Sequence, residues 1–180
     1  MQLDTLCAVG AAVGLDLVLK AYLSRPPSLR DSGQLELVEA IRSIAHPLWD
    51  PILEMAAGDN GEAIDIGLLG IREIIDAEIE RLILDFQAQY RRNSRKRDFL
   101  AAQHQRPVRL VMVVEDTIRN RSAVARHLAL ITSALPAGTR EIRRALVTGQ
   151  PLGRDGLMWI RRSRALPRRG PIDRSDRATG

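Results

Sequence analysis

The sequence predicts an α/β fold class, a small mixed sheet flanked by helices. From residue 32 onward, short segments with apolar residues at period two, or in continuous apolar runs, alternate with longer segments at helical spacing. This alternation is typical of a sheet covered by helices. The chain has 180 residues and is 45% hydrophobic, so it can bury the core of one domain.

The first 24 residues are predicted to be a helical stub and a junction strand. Residues 5–13 have apolar side chains at helical spacing, and Gly14 suits the left-handed position that ends a helix. Residues 15–22 alternate apolar and polar side chains, which indicates a strand. Two prolines within residues 25–28 then break the chain, and we place a boundary there.

A helix is predicted after Asp31 or Ser32, either of which can cap it, with a stop at His46 and Pro47. Three strand candidates follow, at Pro51–Met55, Glu62–Leu69 and Ile71–Ile79. The third is ambiguous, because its apolar residues fit both period two and a helical stripe that continues to Tyr90. Both alternatives stay open on the sequence alone.

The second half of the domain alternates in the same way. The predicted elements are a helix from about Glu80 to Gln103, a buried strand at 108–114, a helix at Thr117–Leu135, a helix at Arg140–Val147 capped by Thr139, and a strand at Gly156–Arg161. The order from residue 32 is that of a restriction-endonuclease-like core. We therefore predict one α/β domain at residues 29–165 and a disordered basic tail at 166–180.

Net charge and cysteine content limit the classes of function. The formal charge is +5, but residues 161–180 hold seven arginines and two aspartates, so the preceding 160 residues balance at zero. The single cysteine, Cys7, excludes an internal disulfide framework and a cysteine-rich zinc site, which predicts a cytoplasmic protein. The most apolar stretch carries Asp16 and Lys20, so no membrane partner is expected.

Four carboxylates are candidates for a metal site. Asp65 falls in the second strand candidate, Asp76 and Glu78 would share one face of the third if it is a strand, and Glu54 lies near the end of the first. Carboxylates in such a corner can hold Mg²⁺, which orients and acidifies an attacking water. Asp65, Asp76 and Glu78 are also the catalytic candidates, with Gln87 positioning substrate. No other cofactor is predicted.

Two features of the same segment favour a domain that does not cleave DNA. If residues 71–79 are helical, Asp76 and Glu78 are the solvated side of an amphipathic helix. In addition, the residue two after Glu78 is Glu80, where a hydrolytic site of this kind usually has a lysine. We therefore expect the domain not to be an enzyme, with a Mg²⁺-dependent nuclease as the alternative.

Basic and polar residues outside this corner are candidates for contacts with DNA phosphates. They are Arg95, Lys96, Arg97, Arg119, Asn120, Arg121, Arg168 and Arg169.

Several segments resemble actinobacterial proteins that join a Cro/C1 (Xre)-type helix-turn-helix to a C-terminal nuclease-like domain. They are LDTLCAVGAAVGLDLVLKAY, LRDSGQLELVEAIRSIAHP, AIDIGLLGIREIIDAEIERLILDFQAQYRR and VRLVMVVEDTIRNRSAV. The resemblance implies that residues 1–24 are a remnant of the helix-turn-helix domain and that the groove-reading helices would precede residue 1. That family usually has glutamate at the position of Asp76.

We expect one of three functions. The first is a DNA-associated relative of transcription regulators whose nuclease-like domain binds, senses or dimerises without cleavage. The second is a Mg²⁺-dependent DNA nuclease of the PD-(D/E)XK type. The third is a protein-interaction or antitoxin-like partner. DNA and a second copy of the chain are the expected partners.

Overall fold

Five strands form one sheet, in the spatial order in which they occur in the chain. The structure is a computed structural model that describes residues 32–58 and 61–161. The strands are β1 (Asp50–Ala56), β2 (Ala63–Leu69), β3 (Ile74–Glu80), β4 (Val108–Glu115) and β5 (Gly156–Ile160).

Helices precede, separate and follow the strands. They are α1 (Ser32–Ile44), α2 (Phe86–His104), α3 (Ile118–Arg126), α4 (Leu128–Ala134) and α5 (Thr139–Thr148). The element order α1-β1-β2-β3-α2-β4 is the one predicted for a restriction-endonuclease-like core. The predicted fold class, a small mixed sheet flanked by helices, is confirmed.

The sheet is mixed because its two halves are connected differently. β1, β2 and β3 pair antiparallel through short connections. β3, β4 and β5 pair parallel, and each parallel step is made through intervening helices. β3 is therefore the strand at which an antiparallel meander meets a parallel half.

The two faces of β3 bury different side chains. Ile75, Ala77 and Ile79 belong to an apolar cluster that includes residues of α1 and α5. The alternate residues Asp76 and Glu78 point to the other face, because successive strand residues project to opposite sides. All seven residues of β3 are buried.

The ambiguous third segment is a strand from Ile74 to Glu80. It has β2 on one side and β4 on the other, and these long-range pairings override the helical stripe. The helix expected from Glu80 begins instead at Phe86, because Asp85 caps it and accepts a hydrogen bond from the Ala88 N–H at 3.0 Å.

Two further helix predictions are corrected. The helix expected at Thr117–Leu135 is two helices, because His127 takes a non-helical backbone conformation with φ −125° between them. Thr139 does not cap α5, whose N-cap is Gly138. The Thr139 hydroxyl oxygen instead accepts a hydrogen bond from the Trp159 N–H of β5 at 2.9 Å.

The predictions for residues 1–24 and 166–180 lie outside the described residues, as do Arg168 and Arg169. The described parts of the chain include no helix that is long and apolar enough to cross a membrane.

Candidate functional site

The acidic face of β3 lies under α2. Asp76 is 0% exposed, Glu78 3% and Glu80 7%. Three carboxylates buried in one row are costly unless each is paired, protonated or bound to a cation. Their surroundings therefore indicate what this face can do.

β2 and β3 separate beside these acids. Their paired residues end at Ile66 and Ala77, although β2 stays paired with β1 and β3 with β4. The Asp65 carboxylate bridges the strands, its Oδ2 accepting a hydrogen bond from the Ile79 backbone N–H at 2.7 Å. Asp65 Oδ1 accepts one from Gln34 Nε2 of α1 at 2.8 Å. Asp65 thus connects β2, β3 and α1.

Lys96 of α2 also bridges the two strands. Its Nζ donates hydrogen bonds to Glu78 Oε1 at 2.8 Å and to the Ala63 carbonyl oxygen at 2.9 Å. Lys96 reaches this position because Asn93, Lys96 and Leu100 are spaced along one face of α2, and all three are buried. Lys96 is 8% exposed, and its ammonium group forms a buried ion pair with Glu78.

Asp76 is the unsatisfied member of the row. Neither of its carboxylate oxygens has a hydrogen-bond partner among the described residues. Its strand partners are Gly67 and Leu110, and neither side chain can donate. A buried carboxylate without donors either keeps its proton or faces a cation.

Burial also shifts the acid equilibria. It raises the pKa of Asp76 well above 3.8, the nearby negative charge of Glu78 adds to that rise, and Lys96 opposes it. Burial likewise raises the pKa of Glu78 from 4.5 to about 7, against the charge and hydrogen bond of Lys96. The pair thus forms a centre with high proton affinity and only one direct cationic partner among the described residues.

Glu80 is satisfied by a different set of donors. Gln89 Nε2 donates to its Oε2, and Asn93 Nδ2 and Arg92 Nη2 donate to its Oε1 at 3.0 and 3.3 Å. The residue that stands in place of the expected lysine is therefore a fixed carboxylate. Among the described residues, the lysine that contacts an acid of β3 is Lys96 of α2.

The four predicted metal ligands do not form one set. Within the described residues, no group of three or more His, Cys, Asp or Glu residues is placed to hold a metal ion. Glu54 lies on exposed β1 with a left-handed backbone, φ +49°. Asp65 is engaged with N–H donors, which leaves Asp76 and Glu78 as the neighbouring pair on β3.

Gln87 was predicted to position substrate. It is exposed on the first turn of α2. Gln89, two residues later, contacts Glu80 and the Leu82 carbonyl oxygen.

Lys96 and Asn120 were expected to contact nucleic acid, and the structure shows that both residues are buried. Asn120, at 0% exposure, accepts from the Ile83 N–H at 3.0 Å and donates to the Arg81 and Glu115 carbonyl oxygens, both at 2.9 Å. It ties the segment after β3 to the end of β4.

The predicted arginines within the described residues lie nearer the surface. Arg95 and Arg119 are exposed. Arg121 lies 4.1 Å from the centre of the Trp159 ring and pairs with Asp116. Arg97 is less free, since it forms ion pairs with neighbouring acidic residues, Asp98 and Asp155.

Sequence reasoning missed the roles of Lys96, Gln34 and Asn93. A signal for Lys96 was present, because it is one of only two lysines among 27 basic residues and has helical spacing to Leu100. A compact ammonium suits a narrow buried position better than a guanidinium does.

Comparisons with known proteins are sparse. No protein-family model matches the chain, and no curated protein matches it. Among solved structures, the chain is similar to the protein of the EndoMS-dsDNA2 complex, with 13% sequence identity and a TM-score of 0.42. The similarity covers 84% of this chain and 52% of that protein, so the chain spans about half of its length.

Proposed function

We propose that this domain is a Mg²⁺-dependent nuclease that hydrolyses phosphodiester bonds in DNA. One observation carries the proposal: Lys96 bridges the separated strands to reach Glu78, beside the Asp76 carboxylate, which has no hydrogen-bond partner in the part of the chain that the structure describes. The lack of a lysine two residues after Glu78 had argued against cleavage. An ammonium group in contact with Glu78 removes that objection.

The donor set fits Mg²⁺. The ion prefers oxygen ligands, and it commonly takes only one or two carboxylates together with waters and substrate phosphates. Asp76 and Glu78 would supply those carboxylates, and both Asp76 oxygens are free of hydrogen bonds among the described residues. When bound, Mg²⁺ polarises a phosphate and lowers the pKa of an attacking water.

The protein's own groups would divide the remaining work. Asp76 and Glu78 would hold the ion as carboxylates, which would require each to lose the proton that burial favours. Lys96 supplies positive charge beside Glu78 and would stabilise negative charge that develops on a phosphate bound there. The exposed Arg95 and Arg119 are available to contact the DNA backbone.

The test is cleavage of supercoiled plasmid and of linear duplex DNA by the full chain with Mg²⁺ or Mn²⁺. We expect cleavage by the wild type, none with a chelator, and losses of about a hundredfold or more in Glu78→Gln and Asp76→Asn. Lys96→Arg keeps the charge and should retain more activity than Lys96→Met. Arg143→Met, an exposed change on α5, is the matched control.

A wild type without cleavage in either metal contradicts this proposal, as does a Glu78→Gln variant that cuts equally well. The second case would identify a contaminating nuclease. Circular dichroism of each variant separates loss of chemistry from loss of fold.

A second candidate is a DNA-associated module that does not cut, related to Xre-type regulators and acting as a dimer. The burial of the acids favours this candidate. Asp76 and Glu78 are 0% and 3% exposed, whereas cleavage would require a DNA phosphate to reach them. This candidate predicts a salt-dependent gel shift that weakens when residues 161–180 are removed, with no cleavage. If the protein neither cleaves nor shifts DNA, the result favours the third function, a protein-interaction or antitoxin-like partner.

A further inference from the structure

The point where β2 and β3 separate is fixed by side chains. Beyond the Ile66–Ala77 pair, the two strands are bridged by the Asp65 carboxylate and by the Lys96 ammonium. Asp65 holds the N–H of Ile79, the residue after Glu78. Lys96 holds the carbonyl of Ala63, two residues before Asp65. The two bridges therefore set the spacing in which Glu78 and Lys96 meet.

Asp65 and Asp76 differ in what surrounds their oxygens. Each Asp65 oxygen accepts an N–H, one from the Ile79 backbone and one from Gln34. Both Asp65 oxygens thus already use a lone pair on an N–H donor, whereas the hydrogen bond from Lys96 to Glu78 is at Oε1. The Asp76 oxygens have no such donors among the described residues. Asp76 is therefore the better metal ligand, and Asp65 is better suited to holding backbone.

We propose that Asp65 is a positioning residue, which holds β3 away from β2 so that Lys96 reaches Glu78, and that it does not bind the metal. This inference rests on the proposed nuclease function. It assigns the chemistry to Asp76, Glu78 and Lys96. It also makes Gln34 a support for the site, because Gln34 orients the Asp65 carboxylate from α1.

Asp65→Asn separates the two roles. An asparagine keeps an oxygen that accepts the Ile79 N–H. Its amide can donate to Gln34 once the Gln34 amide turns over. The variant thus keeps these two contacts and loses the negative charge that a metal needs. Asp65→Ala loses the contacts as well.

We expect Asp65→Asn to keep the wild-type cleavage rate and the wild-type Mg²⁺ concentration for half-maximal activity. Asp65→Ala and Gln34→Ala should lose activity, by about tenfold to a hundredfold for a residue that supports a metal site. Rescue by asparagine is the signature of positioning. If folded Asp65→Asn is as inactive as Glu78→Gln, Asp65 binds the metal and the inference is overturned.

Hydrogen exchange separates failure of this inference from failure of the nuclease proposal. The Ile79 amide should be protected in the wild type and Asp65→Asn and should exchange faster in Asp65→Ala, whether or not the protein cuts DNA. If the wild type does not cut but this pattern holds, only the catalytic part fails. If Ile79 stays protected in Asp65→Ala, Asp65 does not hold β3 and the inference is wrong.

Discussion

The two faces of β3 are equally buried but are stabilised in different ways. One face presents Ile75, Ala77 and Ile79 to an apolar cluster under α1 and α5. The other presents Asp76 and Glu78 to α2, with Lys96 as a direct partner. On the apolar face, a side chain can be substituted by another apolar side chain of similar size at low cost in stability. On the acidic face, each contact depends on a particular charge.

The charge of the acidic face is not balanced by its direct contacts. Lys96 pairs with Glu78, while Asp76 has no hydrogen-bond donor within the described residues. A protein interior rarely keeps an unpaired carboxylate, because desolvation disfavours its charged form strongly. Perturbed acids of this kind cluster at functional sites. This difference between the faces is the reason that the proposed site is placed on the acidic face.

The largest expected effect comes from removing the buried cation. Lys96→Met leaves Glu78 and Asp76 facing each other without an ammonium group. Breaking a buried ion pair from one side costs about 3–5 kcal/mol, and we expect a decrease of that size in the free energy of unfolding. Urea denaturation above neutral pH, where Glu78 is charged, measures it. Arg143→Met, which removes an exposed cation, is the control and should change stability little.

The double variant Lys96→Met with Glu78→Gln sharpens that result. It removes both charges, so it should be more stable than Lys96→Met alone. If the double variant is the less stable of the two, the destabilisation comes from lost packing of the lysine chain and the charge argument fails.

The pH dependence of stability is the next largest effect. Burial raises the pKa of Glu78 from 4.5 to about 7, and it raises that of Asp76 in the same direction. Between the unfolded and folded pKa values the folded state binds more protons. The free energy of unfolding therefore falls as pH rises from 4.5 through about 7. Denaturation curves from about pH 5 to pH 8 measure this slope.

Glu78→Gln should reduce the slope, because an amide does not titrate. Glu39→Gln, a change to an exposed glutamate of α1, should leave it intact. A wild type whose stability rises over this interval would show that Glu78 is already ionised in the folded protein.

Asn120 lies at the edge of the acidic face, and substituting it tests whether polar contacts there depend on a particular side chain. Asn120→Ala leaves the Ile83 N–H without its acceptor and two carbonyl oxygens without their donor. An unsatisfied buried group costs about 1–3 kcal/mol, which is the decrease we expect in the free energy of unfolding. Asn120→Asp keeps the acceptor for Ile83 but cannot donate when ionised. The free energy of unfolding of Asn120→Asp should therefore fall more steeply with rising pH than that of Asn120→Ala, which keeps only the slope expected from the buried acids.

The sequence predicted the order of elements because apolar spacing is a local signal. It could not decide between strand and helix for residues 71–79, since Ile71, Ile75 and Ile79 satisfy both periods. The pairing of β3 with β4 decides, and that pairing joins residues more than thirty positions apart.

The acidic site was only partly predictable for a related reason. Asp76 and Glu78 share a face as soon as the segment is a strand, so their proximity follows from local geometry. The Lys96 contact depends on where β2 and β3 separate and on how α2 lies over them. Neither feature has a local sequence signal. The same long-range packing buries Asn120, which sequence alone placed on a DNA-binding surface.

The smallest expected effect lies on the apolar face. Ile75→Val removes one methylene from a side chain that is 1% exposed and packs within the apolar cluster. Such a change costs about 0.5–1.5 kcal/mol, because the cavity is small and neighbours relax into it. It should leave both the pH slope and any DNA cleavage unchanged, since no charged group moves. A loss of cleavage in a folded Ile75→Val protein would mean that the two faces are mechanically coupled through β3.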